Sequence, residues 1–223
     1  ANNPENIYFY SYLDEDESFM DKYKQINDKV SNLSITIGIK NNFSKGVNLV
    51  AMKAYKEKCD LIIFGNDDIV CQTNKWDMFL INNFHSLPKH KIGCFLLKSN
   101  SKCKWAFPAV TSNWIKHVGH FSPGIFNFFF HDTWIFDISE RANCVFEIDS
   151  INLYHDHYEF KFAGLLRGDK THLRNYHLFL RILRKFFGKK RFPSKFDLDK
   201  IIFEKNEKER IKISKKLINA IKS

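Results

Sequence analysis

One short segment constrains the fold of this chain more than any other. Residues 61–64, Leu-Ile-Ile-Phe, are continuously apolar and are followed at once by Gly65, Asn66, Asp67 and Asp68. Continuous apolar runs of this length are typical of strands that are buried on both faces of a parallel sheet. In open α/β sheets, ligands bind beyond the carboxyl ends of the strands. The sequence therefore predicts a buried strand that delivers acidic side chains to a binding site.

The residues before this strand alternate between strand and helix patterns. Residues 7–12 and 34–39 are rich in aromatic and β-branched side chains, which predicts two strands. Apolar side chains recur at helical spacing between residues 47 and 58, and a further helix is expected between the first two strands. This β-α-β-α-β order predicts an α/β domain with a central, mostly parallel sheet that is flanked by helices. The same patterns predict a helix near 76–84, irregular chain over 104–130, and strands at 91–97 and 145–154.

The net charge of +10 is unevenly distributed. Residues 170–223 contain 17 Lys and Arg against 5 Asp and Glu, whereas residues 1–169 contain 18 against 20. We therefore predict a main domain over 1–169 and a basic, helical C-terminal extension over 170–223. An acidic main domain would repel phosphates, and no RNA-binding signature is present, so no specific nucleic-acid partner is expected.

The extension has two interpretations. A lysine-rich amphipathic pattern over residues 172–222 is suited to peripheral contact with an anionic membrane. The same pattern is also suited to packing of the apolar face on the main domain, with the lysines in solvent. Helical periodicity alone does not decide between these two interpretations.

The cysteine pattern and the hydropathy bear on the compartment. The five cysteines are scattered, with no CxxC pair of the kind that binds zinc and no dense disulfide pattern. We expect a reducing environment, no transmembrane helix, since no run of 18 apolar residues occurs, and no signal peptide. The expected location is cytoplasmic, or the inner face of a membrane if the extension binds lipid.

Three segments contain the candidate functional residues. Residues 66–68, at a strand end, could hold a hard divalent cation through oxygen ligands, or could simply form a turn. Asp132, between aromatic residues, could be a general base or a helix N-cap. His155 and His157 alternate on a strand, so both could reach one metal ion, or both could make ordinary hydrogen bonds.

In their order and spacing, these segments resemble the GT-A fold glycosyltransferases, in particular those similar to family 2. Residues 66–68 stand at the place of the DXD motif of that family. Residues 118–123 resemble its acceptor-side Gly-x-Phe-x-Pro/Glu segment, and residues 131–134 resemble its later acidic motif. Residues 155–157 resemble the strand-end histidine that completes its metal site. The first DXD position is Asn rather than Asp, which shifts the metal ligation onto Asp68.

The resemblance implies a Rossmann-like GT-A domain for nucleotide-diphospho-sugar transfer over residues 1–169. It implies transfer of a hexosyl or deoxyhexosyl unit from a nucleotide sugar, UDP-sugar favoured, to a hydroxyl of a glycan, lipid-linked or protein-linked acceptor, with inversion. Asp132 would be the catalytic base, and Asp68 with His155 or His157 would bind Mn²⁺ or Mg²⁺. The donor would be bound by Tyr10, Ser11, Tyr12, Lys40, Asn41, Asn48, Asn66 and Asp67. Trp105, Trp114 and Trp134 are candidates for stacking on a sugar or for core packing.

Two other classes of function remain as alternatives. A non-catalytic module could use the basic extension to bind nucleic acid or an anionic membrane. A nucleotidyltransferase would also need paired carboxylates and a metal ion. Dinucleotide binding of the Rossmann type and P-loop chemistry lack support, because neither GxGxxG nor GxxxxGK[ST] occurs in the sequence.

Overall fold

A computed structural model describes residues 1–16, 20–40, 43–66, 68–101, 103–155 and 193–223, which form a mixed α/β protein. The strands are β1 (Phe9–Asp14), β2 (Leu33–Gly38), β3 (Leu61–Ile63), β4 (Ile69–Cys71), β5 (Cys94–Ser99), β6 (Pro108–Thr111) and β7 (Val145–His155). The helices are α1 (Met20–Asn27), α2 (Phe43–Lys56), α3 (Trp76–Ser86), α4 (Ser112–Val118), α5 (His131–Arg141), α6 (Lys195–Lys205) and α7 (Glu207–Lys222). A short 3-10 helix, Pro4–Asn6, precedes β1.

The described strands form two sheets. The larger has the order β3-β6-β5-β7-β4, and β5 and β7 are its one parallel pair of neighbours. β1 and β2 form a separate parallel pair, with Asp14 opposite Gly38 at its carboxyl end. The α/β class is therefore confirmed, but the larger sheet is mostly antiparallel and differs from the mostly parallel sheet that we predicted.

The difference has three causes: β1 and β2 pair apart from β3, β4 runs opposite to β7, and β6 lies between β3 and β5 and runs opposite to both. No strand was predicted at β6, because Pro108 interrupts the apolar pattern of the sequence. Proline is tolerated as the first residue of a strand, which is the position that it occupies here. Since β6 reverses direction between its neighbours, β3, β5 and β7 all run the same way. Their carboxyl ends therefore lie along the same edge of the sheet, at one end of the strands.

The helix α5 covers this sheet. Trp134, Ile135 and Ile138 recur at helical spacing and are fully buried, and α5 contacts β5, β6 and β7. Trp114 of α4 is also fully buried, and its Nε1 atom donates to Oγ of Ser139 at 2.9 Å. Trp114 and Trp134 are therefore core residues rather than sugar-stacking residues.

Where the structure describes it, the C-terminal extension packs on the main domain. The helix α7 contacts α4 and α5, and it buries Ile213 and Leu217. This finding supports the second interpretation for residues 207–222, because protein covers their apolar face. The predicted boundary at 169/170 lies outside the described residues. In the part of the chain that the structure describes, no helix is both long and apolar enough to cross a membrane.

A buried arginine fastens α7 to α5. Arg210 is 3% exposed, and its Nε atom donates to Oδ2 of Asp137 at 2.7 Å. Its guanidinium group also lies 3.6 Å from the ring centroid of Phe203, and Arg141 shares the Asp137 carboxylate at 2.9 Å. Most of the charge on α7 is exposed lysine, whereas the contact of Arg210 with Asp137 is largely desolvated.

Replacing Arg210 by alanine is expected to lower the free energy of unfolding by about 2 kcal/mol. Removing one partner of a buried ion pair leaves a desolvated charge behind, and the remaining contact with Arg141 limits the loss. Urea unfolding of the full chain measures the change, with exposed Lys208→Ala as the control, expected within about 0.5 kcal/mol of wild type. Equal stabilities of Arg210→Ala and wild type would contradict the described docking of α7.

Candidate active site

The first part of the site is a carboxylate–imidazole pair at the end of β7. β4 pairs antiparallel with the end of β7, and this register places Ile69 opposite His155. Asp68, which directly precedes β4, therefore lies beside His155, and its Oδ2 atom is 3.1 Å from Nε2 of the imidazole. The two side chains are 31% and 13% exposed, so the pair is partly desolvated yet reachable by a ligand. The fold thus joins two predicted metal ligands that are 87 positions apart in sequence.

The backbone of His155 is held by Asn100, which follows β5. The Asn100 side chain accepts from the N–H of His155 at 2.7 Å and donates to its carbonyl at 3.1 Å. Because β5 and β7 are parallel neighbours, their carboxyl ends lie side by side and bring the two residues together. Sequence reasoning missed Asn100, since an asparagine after a strand ordinarily indicates a turn and its partner lies 55 positions away.

The residues after β3 form the second part of the site. Phe64 is buried and Gly65 is exposed, so the chain passes from the core to the surface at this point. The Oδ1 atom of Asn66 is buried, and it has no hydrogen-bond partner among the described residues. A buried amide oxygen is costly unless a donor satisfies it, so a ligand hydroxyl would be stabilised there. Asp67 lies outside the described residues.

The donor atoms at this edge fit a divalent cation only in part. Among the described residues, no group of three His, Cys, Asp or Glu side chains is arranged to hold a metal ion. Asp68 and His155 offer one carboxylate and one imidazole. Proteins commonly hold Mg²⁺ through one or two carboxylates together with phosphate oxygens of the substrate, and Mn²⁺ also prefers oxygen ligands. This pair is therefore suited to a site in which the protein and the substrate phosphates hold the cation together. The other predicted ligand, His157, lies outside the described residues.

Asp132 lies in the first turn of α5 and is half-buried. Its Oδ1 atom accepts from the N–H of Thr133 at 2.7 Å and from the hydroxyl of Thr133 at 3.3 Å. The same hydroxyl accepts from Nε1 of Trp105 at 3.1 Å. The alternative that Asp132 is the N-cap is wrong, because the N-cap position is Phe130. The carboxylate is thus oriented by its neighbour and stabilised by the helix N-terminus.

Trp105 and Cys103 lie beside Asp132. Burial raises the pKa of the Cys103 thiol to about 11, and the negative charge of Asp132 adds to the effect. This thiol is therefore protonated and unreactive at neutral pH. One face of Trp105 is stacked on Phe136, with ring centroids 4.4 Å apart. Of the three tryptophans considered for sugar stacking, Trp105 alone is half-buried and remains a candidate.

A row of aromatic rings runs from His155 of the carboxylate–imidazole pair to His131, the first residue of α5. The Phe107 ring meets His155 edge-on at 5.2 Å and lies 6.3 Å from Phe64, and Phe64 meets His131 edge-on at 4.6 Å. The row therefore ends at the residue that precedes Asp132, the predicted base. Of the predicted catalytic and metal-binding residues, the structure brings Asp68 and His155 into contact.

His131 anchors the start of α5. Burial lowers the pKa of His131 below its ordinary value, so the ring is neutral at neutral pH. Nδ1 lies 3.2 Å from the carbonyl oxygen of Phe128 and therefore acts as the donor. The ring also packs against Phe43, with centroids 5.2 Å apart. No role was predicted for His131 within the motif at residues 131–134.

Three of the predicted donor-binding residues lie elsewhere than expected. β1 continues to Asp14, so Tyr10, Ser11 and Tyr12 lie within the strand rather than after it. The hydroxyl of Tyr10 donates to Oε2 of Glu57 at 2.6 Å, just beyond the C-terminus of α2. Burial, followed by this hydrogen bond, raises the pKa of Tyr10 above its ordinary value. Tyr10 thus faces the amino end of β3, away from the carboxyl ends of the strands.

Tyr12 packs the carboxyl end of β2 against α2. Its hydroxyl donates to the carbonyl of Ile39 at 2.7 Å. A Cβ atom at Gly38 would lie 2.6 Å from the Tyr12 hydroxyl oxygen, and one at Gly46 would lie 2.9 Å from the ring. These two glycines are therefore required by the close approach of the tyrosine, which has a structural role here.

The other predicted donor-binding residues are only partly described. Lys40 follows β2 as predicted, and its Nζ atom is 3.0 Å from Oδ2 of Asp16 in an exposed ion pair. The Oδ1 atom of Asn48 accepts from the N–H groups of Phe121 and Ser122 at 3.0 and 3.1 Å. Asn48 therefore holds the predicted acceptor-side segment, and its oxygen is already used by the protein. Asn41 lies outside the described residues.

Two open grooves lie away from these residues. One, of about 370 Å³, lies between α1 and β2, and the other, of about 450 Å³, lies beside the start of β1. Neither is lined by any predicted site residue. Each groove has ionisable side chains in its lining, Asp28 in the first and Glu5 with Lys29 in the second, and the candidate site is therefore located by the predicted residues and not by these grooves.

Comparison of the chain with known protein families, with curated proteins and with solved structures finds no match. A functional assignment therefore depends on the residues and contacts described above.

Proposed function

We propose that the protein is a metal-dependent glycosyltransferase of the GT-A kind. It would transfer a hexosyl or deoxyhexosyl unit from a nucleotide diphosphate sugar, UDP-sugar favoured, to an acceptor hydroxyl, with inversion. The observation that carries the proposal is the 3.1 Å contact between Asp68 and His155, because it joins the strand-end acid and the strand-end histidine that the resemblance pairs. The common direction of β3, β5 and β7 supports it, since their carboxyl ends lie on one side of the sheet.

On the donor side, Asp68 and His155 would hold Mn²⁺ or Mg²⁺ together with the diphosphate, with His157 as a further predicted ligand and Asp67 as a predicted donor-binding residue. When bound, such a cation neutralises charge that develops on the leaving diphosphate. The buried Oδ1 atom of Asn66 would accept a hydrogen bond from a ribose hydroxyl. These residues bind and orient the donor.

On the acceptor side, Asp132 would act as the general base. The acceptor oxygen attacks the anomeric carbon, the bond from that carbon to the diphosphate oxygen breaks, and the hydroxyl proton passes to the Asp132 carboxylate. A single displacement of this kind inverts the anomeric centre. The two hydrogen bonds from Thr133 to Oδ1 fix the orientation of the carboxylate.

Incubation with a panel of nucleotide sugars and Mn²⁺ tests the proposed function. We expect at least one nucleotide sugar to be consumed, by transfer or by slow hydrolysis, with release of nucleoside diphosphate and with full inhibition by a chelator. A parallel panel of nucleoside triphosphates serves as the control. Release of pyrophosphate from a triphosphate, with no turnover of any nucleotide sugar, would instead establish the nucleotidyltransferase alternative.

An exposed aromatic surface favours a lipid-linked acceptor over a glycan or protein one. Phe128, Phe129 and Phe196 are 45%, 39% and 47% exposed, and their rings contact in sequence at 5.0 and 5.4 Å. Phe128 and Phe129 lie directly before α5, near the predicted base. The packing of α7 on α4 and α5 removes the apolar face of residues 207–222 from the peripheral membrane contact that we predicted for residues 172–222, and for the rest of that range the contact stays a prediction. Failure of the full chain to sediment with anionic liposomes would contradict it.

A further inference from the structure

A buried carboxylate of the C-terminal extension binds the loop that leads into α5. Asp199 of α6 is fully buried. Its Oδ1 atom accepts from the backbone N–H and the side-chain Nδ2 of Asn127, both at 2.9 Å. Its Oδ2 atom accepts from the N–H groups of Phe128 and Phe129, also at 2.9 Å. One carboxylate therefore satisfies three consecutive backbone donors, 70 to 72 positions away in sequence.

The charge state of Asp199 strengthens this contact. Burial by itself would raise the pKa of Asp199, but the hydrogen bonds from the loop outweigh it and lower the pKa below the ordinary value. The group is therefore an anion at neutral pH. Hydrogen bonds to an ionised acceptor are about twice as strong as those between neutral groups.

The next residue along the loop is strained. Phe130 has φ of 68°, a left-handed conformation that is uncommon for a bulky residue. Its ring packs against Phe196 and Phe203 of α6, with centroids 5.1 and 5.3 Å apart. Helix α6 thus holds both the loop and the strained residue that directly precedes the first turn of α5.

We propose that Asp199 is a positioning residue for Asp132. Its hydrogen bonds to the backbone of Asn127–Phe129 fix the path by which the chain enters α5. They thereby fix the position of the Asp132 carboxylate in the first turn of this helix. The N–H of Phe43 at the start of α2 donates to the carbonyl of Asn127 at 3.0 Å, so the loop is held from both sides. The inference rests on the proposed function, and it gives one residue of the C-terminal extension, Asp199, a positioning role in the reaction.

The variant Asp199→Asn keeps the size of the side chain but loses the charge and one of the two acceptor oxygens. We expect kcat for sugar transfer to fall by about 10- to 100-fold, since displacement of a reacting group by about 1 Å costs a factor of this order. The affinity for UDP with Mn²⁺ should stay within about twofold of wild type, because the donor-binding residues are untouched. Hydrogen exchange of residues 127–133 should become faster.

The matched control is Asp197→Asn on the same helix. Asp197 accepts from the N–H and hydroxyl of Ser194 at 2.8 and 2.7 Å and so caps the start of α6. We expect this variant to leave kcat and the exchange of residues 127–133 at wild-type levels. A second variant, Asn127→Ala, removes only the side-chain hydrogen bond to Asp199, and a several-fold loss in kcat is expected.

Several results would overturn the inference. The inference is overturned if folded Asp199→Asn has the kcat of wild type and the same hydrogen exchange at residues 127–133. It is also overturned if this variant loses donor affinity and turnover equally, because such a result indicates a general structural role. If Asp199→Asn does not fold, the inference is overturned by a kcat of Asn127→Ala that equals that of wild type. If wild-type protein transfers no sugar at all, the proposed function fails, whereas hydrogen exchange in the variants still decides whether Asp199 holds the loop.

Discussion

Asp132→Asn should reduce sugar transfer by about 10³-fold or more while leaving the affinity for UDP with Mn²⁺ unchanged. Loss of a general base costs about 10²- to 10⁴-fold, because the acceptor hydroxyl must then lose its proton without help. Asparagine has the same shape and keeps an oxygen that can accept from the N–H of Thr133, so the first turn of α5 should retain its geometry. The change therefore isolates the chemical step from binding.

Steady-state kinetics with the best donor of the nucleotide-sugar panel measure this loss, and calorimetry measures donor binding. Glu140→Gln is the matched control, since Glu140 is an exposed carboxylate on the same helix. Its kcat should equal that of wild type. If Asp132→Asn transfers sugar at the wild-type rate, Asp132 is not the base, and the predicted inverting outcome loses its support.

Asp68→Ala should weaken metal-dependent binding of UDP by about 100-fold or more. Asp68 is the one carboxylate beside His155 in the described residues, and even a lost outer-shell partner typically weakens metal affinity by 10- to 100-fold. The affinity measured in the presence of a chelator should not change, because the proposed contact of Asn66 with the ribose does not depend on this side chain.

Isothermal titration of UDP, with and without Mn²⁺, tests this expectation. Asp149→Ala is the matched control, because Asp149 is an exposed carboxylate on β7, the strand that carries His155. Its affinity should match that of wild type under both conditions. Equal Mn²⁺-dependent affinities for Asp68→Ala and wild type would remove the metal-site assignment, together with the observation that carries the proposed function.

The elements that local pattern specifies were predictable. The existence of the strand over residues 61–63 and of the helix α2 follows from local apolar pattern. The prediction that this strand is buried on both faces of a parallel sheet is wrong, because β3 is an edge strand that pairs antiparallel with β6, and only Ile62 of its three residues is buried. The strand β6 was not predictable in this way. Its four residues are fully buried, but Pro108 and the irregular flanking sequence hide the pattern, and its pairing with β3 and β5 is long-range.

The residues of the candidate site also fall into those that could be identified from the sequence and those that could not. Asp68, Asp132 and His155 could be singled out because titratable residues that follow apolar runs stand out in a sequence. Asn100 and Asp199 could not be, because an asparagine after a strand and an aspartate in a helix are ordinary in those places. Their importance comes from partners 55 and 70 to 72 positions away, and only the folded chain brings those partners into contact.

Composition and local periodicity are enough to specify the α/β class, the acidic strand end after β3 and the separation of charge between residues 1–169 and 170–223. The direction of each strand, the pairing of Asp68 with His155 and the packing of α7 on α4 and α5 become visible only in the folded chain. Periodicity specifies that a face is buried but not what buries it. That choice depends on the packing and hydrogen bonding of residues far apart in the chain, such as Arg210 with Asp137.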